Sequence, residues 1–122
     1  MITLIENNTI KASKLIIPAA GIIPEIVVVC NVRISNVLDR EGKKTDIVEA
    51  VRYDCVNPDD FSRFTIKVEA KDPILTKAIL NKAEEPVYIS IPIEETFLRP
   101  YEISYGKAKV SIIAPYVTIV ES

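Results

Sequence analysis

The sequence predicts a mostly-β domain with a single helix. Successive stretches alternate apolar and polar residues with period two, only one stretch carries an apolar stripe at helical spacing, and turn residues separate them. At 122 residues, 48% hydrophobic and 26% charged, the chain has the size and composition of one globular domain able to bury its own core.

The first two dozen residues read as a short strand or arm from Thr9 to Ile17, then a connection punctuated by Pro18, Gly21 and Pro24. The clearest signal follows. Val28, Cys30, Val32 and Ile34 alternate with Asn31, Arg33 and Ser35, and beyond the polar break DREGKK, Ile47, Val51, Tyr53 and Cys55 share one side of a second strand. A two-residue Gly42-Lys43 turn sets Leu38 opposite Ile47, Ile34 opposite Val51, Val32 opposite Tyr53 and Cys30 opposite Cys55. The apolar faces then coincide, except that Asn36 faces Glu49. Cys30 and Cys55 are expected as buried or near-buried neighbours that stay reduced in a cytosol. The same register sets Arg33 against Arg52, and like charges directly opposite destabilise a sheet by a fraction of a kcal/mol. A register shifted by two keeps the faces together and sets Arg33 against Asp54 and Ser35 against Arg52, an ordinary exposed ion pair. Both registers are open at this point.

After the NPDD turn (Asn57 to Asp60), Phe64, Ile66 and Val68 alternate with Arg63, Thr65 and Lys67 as a third strand. Asp72 is a suitable N-cap and Pro73 suits the first helical position. The stripe Ile74, Leu75, Ala78 and Ile79 predicts a helix over about Pro73 to Lys82, packed on one end of the domain. Val87, Ile89, Ile91 and Ile93 form a fourth strand, with Pro92 placing it at an edge or bulge. Tyr101 to Val120 reads as two more strand segments turning near Tyr105-Gly106-Lys107.

An extra N-terminal strand followed by β-β-β-α-β-β is the order of a small OB-fold-like β-barrel, whose helix lies between the third and fourth strands. A split α+β sheet is the alternative. The domain runs over 1–122, with an N-terminal arm or strand in 1–24 and the barrel in 25–122.

Composition narrows the chemistry. The chain has no histidine, two cysteines and three glycines, so the commonest general base, a structural zinc set and a phosphate-cradling glycine loop all lack their residues. We expect no enzyme, cofactor or metal. The longest apolar run, IIPAAGII, falls far short of the roughly 20 residues of a membrane span. The start MITLIENNTIK lacks the features of a signal peptide, so a cytoplasmic protein with no membrane partner is expected.

The stretch EGKKTDIVEAVRYDCVNPDDFSRFTIKVEAKDP resembles the central segment of the YdcP-like family of small proteins from integrative and conjugative elements, a group that includes a helicase processivity factor. The resemblance lies in Gly42-Lys43-Lys44-Thr45, Arg52-Tyr53, Pro58 and IKVEAKDP, and in the closing YGKAKVSIIAPYVTIVE through Gly106-Lys107, Ser111 and Ala114. It covers the chain from about Val27 onward and departs at Ala50, where a glycine is usual, and in the Ile/Pro-rich fourth strand. It implies a non-enzymatic accessory that supports a helicase in element replication and transfer, with single-stranded DNA as a contact.

A single-strand binder needs a basic groove along the phosphates and aromatic faces for stacking. Arg33, Arg52, Arg63 and Lys67 fall on the polar side of the three-strand meander, with Lys43 and Lys44 at its hairpin tip. Phe61 and Tyr88, on polar sides, are the stacking candidates, whereas Tyr53 reads as core and Tyr101 and Tyr105 as core-edge packing. The plainer reading is that these charges solvate an exposed face, since Glu49, Asp54 and Glu69 lie close by. The function expected is a DNA-replication or conjugation accessory of a mobile element binding single-stranded DNA, a helicase or both. The rival is a phage- or element-encoded assembly protein working through protein interfaces and homo-oligomer formation, favoured by the apolar IIPAAGII and by the edge near Pro92.

Overall fold

Strands dominate, as the alternation predicts. The computed structural model describes residues 5–11, 14–69 and 73–120. The elements run β1 (Ile5–Glu6), β2 (Thr9–Ile10), β3 (Ile17–Pro18), β4 (Ile26–Leu38), β5 (Lys44–Val56), β6 (Arg63–Val68), α1 (Lys77–Lys82), β7 (Val87–Ser90), β8 (Phe97–Ser104), β9 (Lys107–Ala114) and β10 (Thr118–Ile119). β1 and β2 make a small separate hairpin turning at Asn7-Asn8, both residues left-handed. The other eight strands form one sheet in the order β10-β7-β4-β5-β6-β9-β8-β3. All neighbours are antiparallel except β6 and β9.

The sheet has two ends and is not closed by hydrogen bonds among the described residues, so the expected closed barrel is not found. Its inner face still gathers one core. Val27, Val29, Val32, Val51, Tyr53, Ile66, Ile89, Leu98 and Ile112, from β4 to β9, share a single buried cluster with Leu75 and Ala19. One core fed by one face of so wide a sheet requires the sheet to curl. β3 pairs with β8 and the Ala19 N–H donates to the Thr96 carbonyl, so this part of the N-terminal segment belongs to the sheet.

Of the two registers open in the sequence, the one opposing the arginines holds at the centre of the β4–β5 hairpin: Val32 pairs with Tyr53, Arg33 with Arg52 and Ile34 with Val51. Elsewhere bulges displace it. Cys55 faces Val29 and Cys30 has no directly opposed residue, so the two cysteines lie on adjacent strands as expected but not opposite each other; Cys55 is buried and both are free thiols, whereas Cys30 is exposed, which corrects its expected burial. The turn also differs. The Asp39 N–H donates to the Lys43 carbonyl, and the Asp39 carboxylate accepts from the Glu41 and Lys43 amides, closing a loop around Arg40-Glu41-Gly42 with Gly42 left-handed. That three-residue turn opposes Leu38 to Lys44 instead of Ile47, and the register shifts on either side of Asn36 set it opposite Val48 instead of Glu49.

α1 is shorter than expected. It starts after Thr76, whose hydroxyl accepts from the Ile79 N–H at 3.2 Å, while Asp72 lies outside the described residues. Leu75 is buried just before the helix and Leu80 packs on the core, but Ile74 is 42% and Ile79 55% exposed, so the predicted stripe does not form the contact face. β7 stops before Pro92, which caps a short 3-10 turn, Ile93–Glu95. It lies between β10 and β4, not at an edge.

Candidate nucleic-acid interface

The outer face of the meander holds the basic residues. Direct pairing across β4, β5 and β6 sets Arg33 opposite Arg52 and Arg52 opposite Lys67, three cations in one row. Their side chains lean apart. The Arg33 guanidinium donates two hydrogen bonds to the Asp54 carboxylate, at 2.8 and 3.0 Å, and the Arg52 Nε donates to the Ser35 hydroxyl at 3.0 Å. These are the partners of the shifted register, reached diagonally, and they relieve the repulsion that the observed register creates. Lys67 Nζ lies 4.0 Å from Glu49 Oε1.

Asp54 is the anchor of this face. Its carboxylate also accepts from the Thr65 hydroxyl at 2.7 Å and the Asn31 amide at 3.4 Å. Burial alone pushes the carboxyl up, but the hydrogen bond and charge of Arg33, with the bonds from Thr65 and Asn31, outweigh it and hold Asp54 below its ordinary value.

A cleft of about 710 Å³ runs over this face, lined by Arg33, Arg52, Arg63, Phe64, Thr65, Lys67, Tyr101, Lys109, Val110, Ser111 and Ile112. Two hairpins bound it at opposite ends. β5 is antiparallel to β6, so the β4–β5 tip lies beyond Val68; β9 is parallel, so the β8–β9 tip lies beyond Arg63. From Arg63 to Lys67 the strand spans about 13 Å at its usual rise. No carboxylate lines the cleft among the described residues, although the whole chain carries a formal charge of −2. Neither Arg52 nor Arg63 has an ion-pair partner among the described residues.

The four basic strand residues singled out from sequence thus meet in one cleft. The remaining candidates do not line it. Lys43 and Lys44 sit at the β4–β5 tip, where Lys43 lies 3.7 Å from Glu41. Phe61 is 77% exposed and left-handed in the β5–β6 turn, and Tyr88 stands on β7 opposite Val28. Sequence reasoning missed Tyr101 and Lys109. Tyr101 is 63% exposed on the cleft wall, on the same side of β8 as exposed Arg99 and away from buried Leu98 and Pro100, and it has no directly opposed residue because the β8–β9 pairing is irregular between Pro100 and Glu102. Pro100, which has no backbone N–H to donate, is the signal that marks that irregularity. The alternation Lys107-Ala108-Lys109 sets the two lysines on one side of their strand, but only the parallel pairing of β6 with β9 brings Lys109 to the cleft.

No protein-family model matches the chain, and neither a curated protein nor a solved structure matches it.

Proposed function

We propose that this protein is a non-enzymatic binder of single-stranded DNA that uses the outer face of β4, β5 and β6. The observation that carries the reading is the convergence of Arg33, Arg52, Arg63, Lys67 and Lys109 with the exposed ring of Tyr101 in one cleft without carboxylates, on a chain of net negative charge. Cations along a groove follow phosphates, and an exposed aromatic face stacks a base whatever its identity. Arg52 and Arg63 are the principal phosphate contacts, because Arg33 is engaged by Asp54 and Lys67 lies 4.0 Å from Glu49.

Strand order supports an opened barrel of the OB type. The meander β4-β5-β6 is followed by β6 parallel to β9, β9 antiparallel to β8, and β7 returning to β4, with β7 and β8 joined through residues 91–96. Proteins of that type bind oligonucleotides on the second and third strands and the flanking loops, here β5, β6 and the two hairpins. The resemblance to element-encoded helicase factors extends the proposal to a replication or conjugation accessory of a mobile element, cytoplasmic, with a helicase as its protein partner.

Salt dependence tests direct binding. Log affinity for a single-stranded oligonucleotide should fall with log salt by about 0.7 per phosphate neutralised, and Arg52→Ala with Arg63→Ala should flatten the slope by about 1 to 1.5 while the fold persists. Absence of binding by the unaltered protein at low salt defeats this reading. The assembly reading is then favoured, on the exposed Ile34, Leu38 and Ile47 of the β4–β5 hairpin and on Ile16 and Ile22 of IIPAAGII, and a solution mass above the monomer tests it.

A further inference from the structure

We infer that the β8–β9 hairpin carries a second base-stacking station at Tyr105, so that a nucleic-acid strand leaving the central cleft continues along Lys109 and Lys107 to the hairpin tip. This rests on the single-strand reading above. The turn itself raises the question. Tyr105 and Gly106 are its two central residues, with φ of 50° and 76°, and a turn with both residues left-handed is normally filled by Asn-Gly or Asp-Gly. A bulky aromatic residue is disfavoured there, because the left-handed region crowds its Cβ against the backbone. Tyr105 is fully exposed, so no packing offsets that cost. Strained residues that the fold does not need are concentrated at sites of function.

The surroundings supply the chemistry. A second depression, of about 430 Å³, is lined by Glu102, Ser104, Tyr105, Lys107, Ala108 and Lys109, and Lys109 also lines the central cleft. The two are therefore contiguous. Lys107 has no ion-pair partner among the described residues, whereas Lys109 lies 3.2 Å from Glu102 in an exposed pair that phosphate can displace at little cost. An aromatic face beside ammonium groups is the combination that holds a base and its phosphate without reading sequence.

The test compares the unaltered protein with Tyr105→Asn and Tyr105→Phe on single-stranded oligonucleotides of about 4 and about 15 nucleotides, lengths that bracket the sites of single domains of this kind. Tyr105→Asn, suited to the turn, should melt a few degrees higher yet bind the longer strand about 5- to 150-fold more weakly, the range of one lost stacking contact. It should leave the shorter strand and the salt slope unchanged, and Tyr105→Phe should behave as the unaltered protein. Equal affinity of Tyr105→Asn for the longer strand overturns the tip station and leaves the central cleft intact. A lower melting temperature with equal losses on both strands makes Tyr105 a structural residue and also overturns it. Failure of the unaltered protein to bind either strand removes both this inference and the reading it rests on.

Discussion

Asp54 lets two arginines face each other across β4 and β5. Its carboxylate takes both arms of the Arg33 guanidinium and is completed by Thr65 and Asn31, so Arg33 is turned away from Arg52. A carboxyl held below its ordinary value binds its proton less readily folded than unfolded. Its contribution to stability is therefore present above the ordinary value near pH 4 and is lost as pH falls through the depressed one. Asp54→Asn should cost about 1 kcal/mol or more at neutral pH, and its melting temperature should decline less than the parent's between pH 5 and pH 2. Parallel acid limbs in the two proteins would contradict this role. The cysteines give a second residue-level expectation. Burial, with smaller contributions from Cys30 and Asp54, pushes the Cys55 thiol up to about 12, while Cys30 is exposed. A thiol reagent at pH 8 should modify one cysteine in the native protein and both after denaturation; rapid modification of both without denaturant contradicts the burial of Cys55.

At the scale of elements, α1 owes its attachment to one residue ahead of it and one within it. Leu75 is buried ahead of the first turn and Leu80 reaches the core, whereas Ile79 points to water for more than half its surface. Leu75→Ala should cost about 2 to 5 kcal/mol in denaturant unfolding, and Ile79→Ala less than about 1 kcal/mol. The reverse ranking would mean that the stripe read from sequence is the true contact face. Strands of simple alternation were legible for a physical reason: one face is buried and the other is wet, so Arg63 to Val68 declared itself in six residues. Bulges were not legible. The extra residue at Cys30, and the irregular pairing of Asn36 to Leu38 and of Pro100 to Glu102, break the period without a compositional mark except at Pro100. The displaced turn had the same origin, since Gly42 suits the last position of a three-residue loop as well as the first of a two-residue one. The helix starts later than Asp72-Pro73 suggests, because the Thr76 hydroxyl accepts the capping bond from the Ile79 N–H.

At the scale of the molecule, the hairpins outrun the core they serve. β4 and β5 are 13 residues each, and their far halves expose Ile34, Leu38 and Ile47, while the β8–β9 arm exposes Tyr101, Ile103 and Tyr105. The core needs none of these. Both arms instead bound the cationic cleft at opposite ends of β6. The gathering of Arg33, Arg52, Arg63 and Lys67 was legible because three adjacent strands of known facing must share an outer surface. Tyr101 and Lys109 were not legible as parts of it, because only the parallel pairing of β6 with β9 brings the last hairpin alongside, and no local pattern announces a parallel neighbour. The cleft is proposed to take a single strand of DNA. Backbone-amide chemical shifts followed during titration with a single-stranded oligonucleotide test this most directly. Shifts concentrated at Arg52, Arg63 to Lys67, Tyr101 and Lys109 to Ser111, with Val28 and Tyr88 unmoved, are the predicted result. Shifts centred on Val28 and Tyr88 or on Ile16 and Ile22, or none at saturating oligonucleotide, would contradict it.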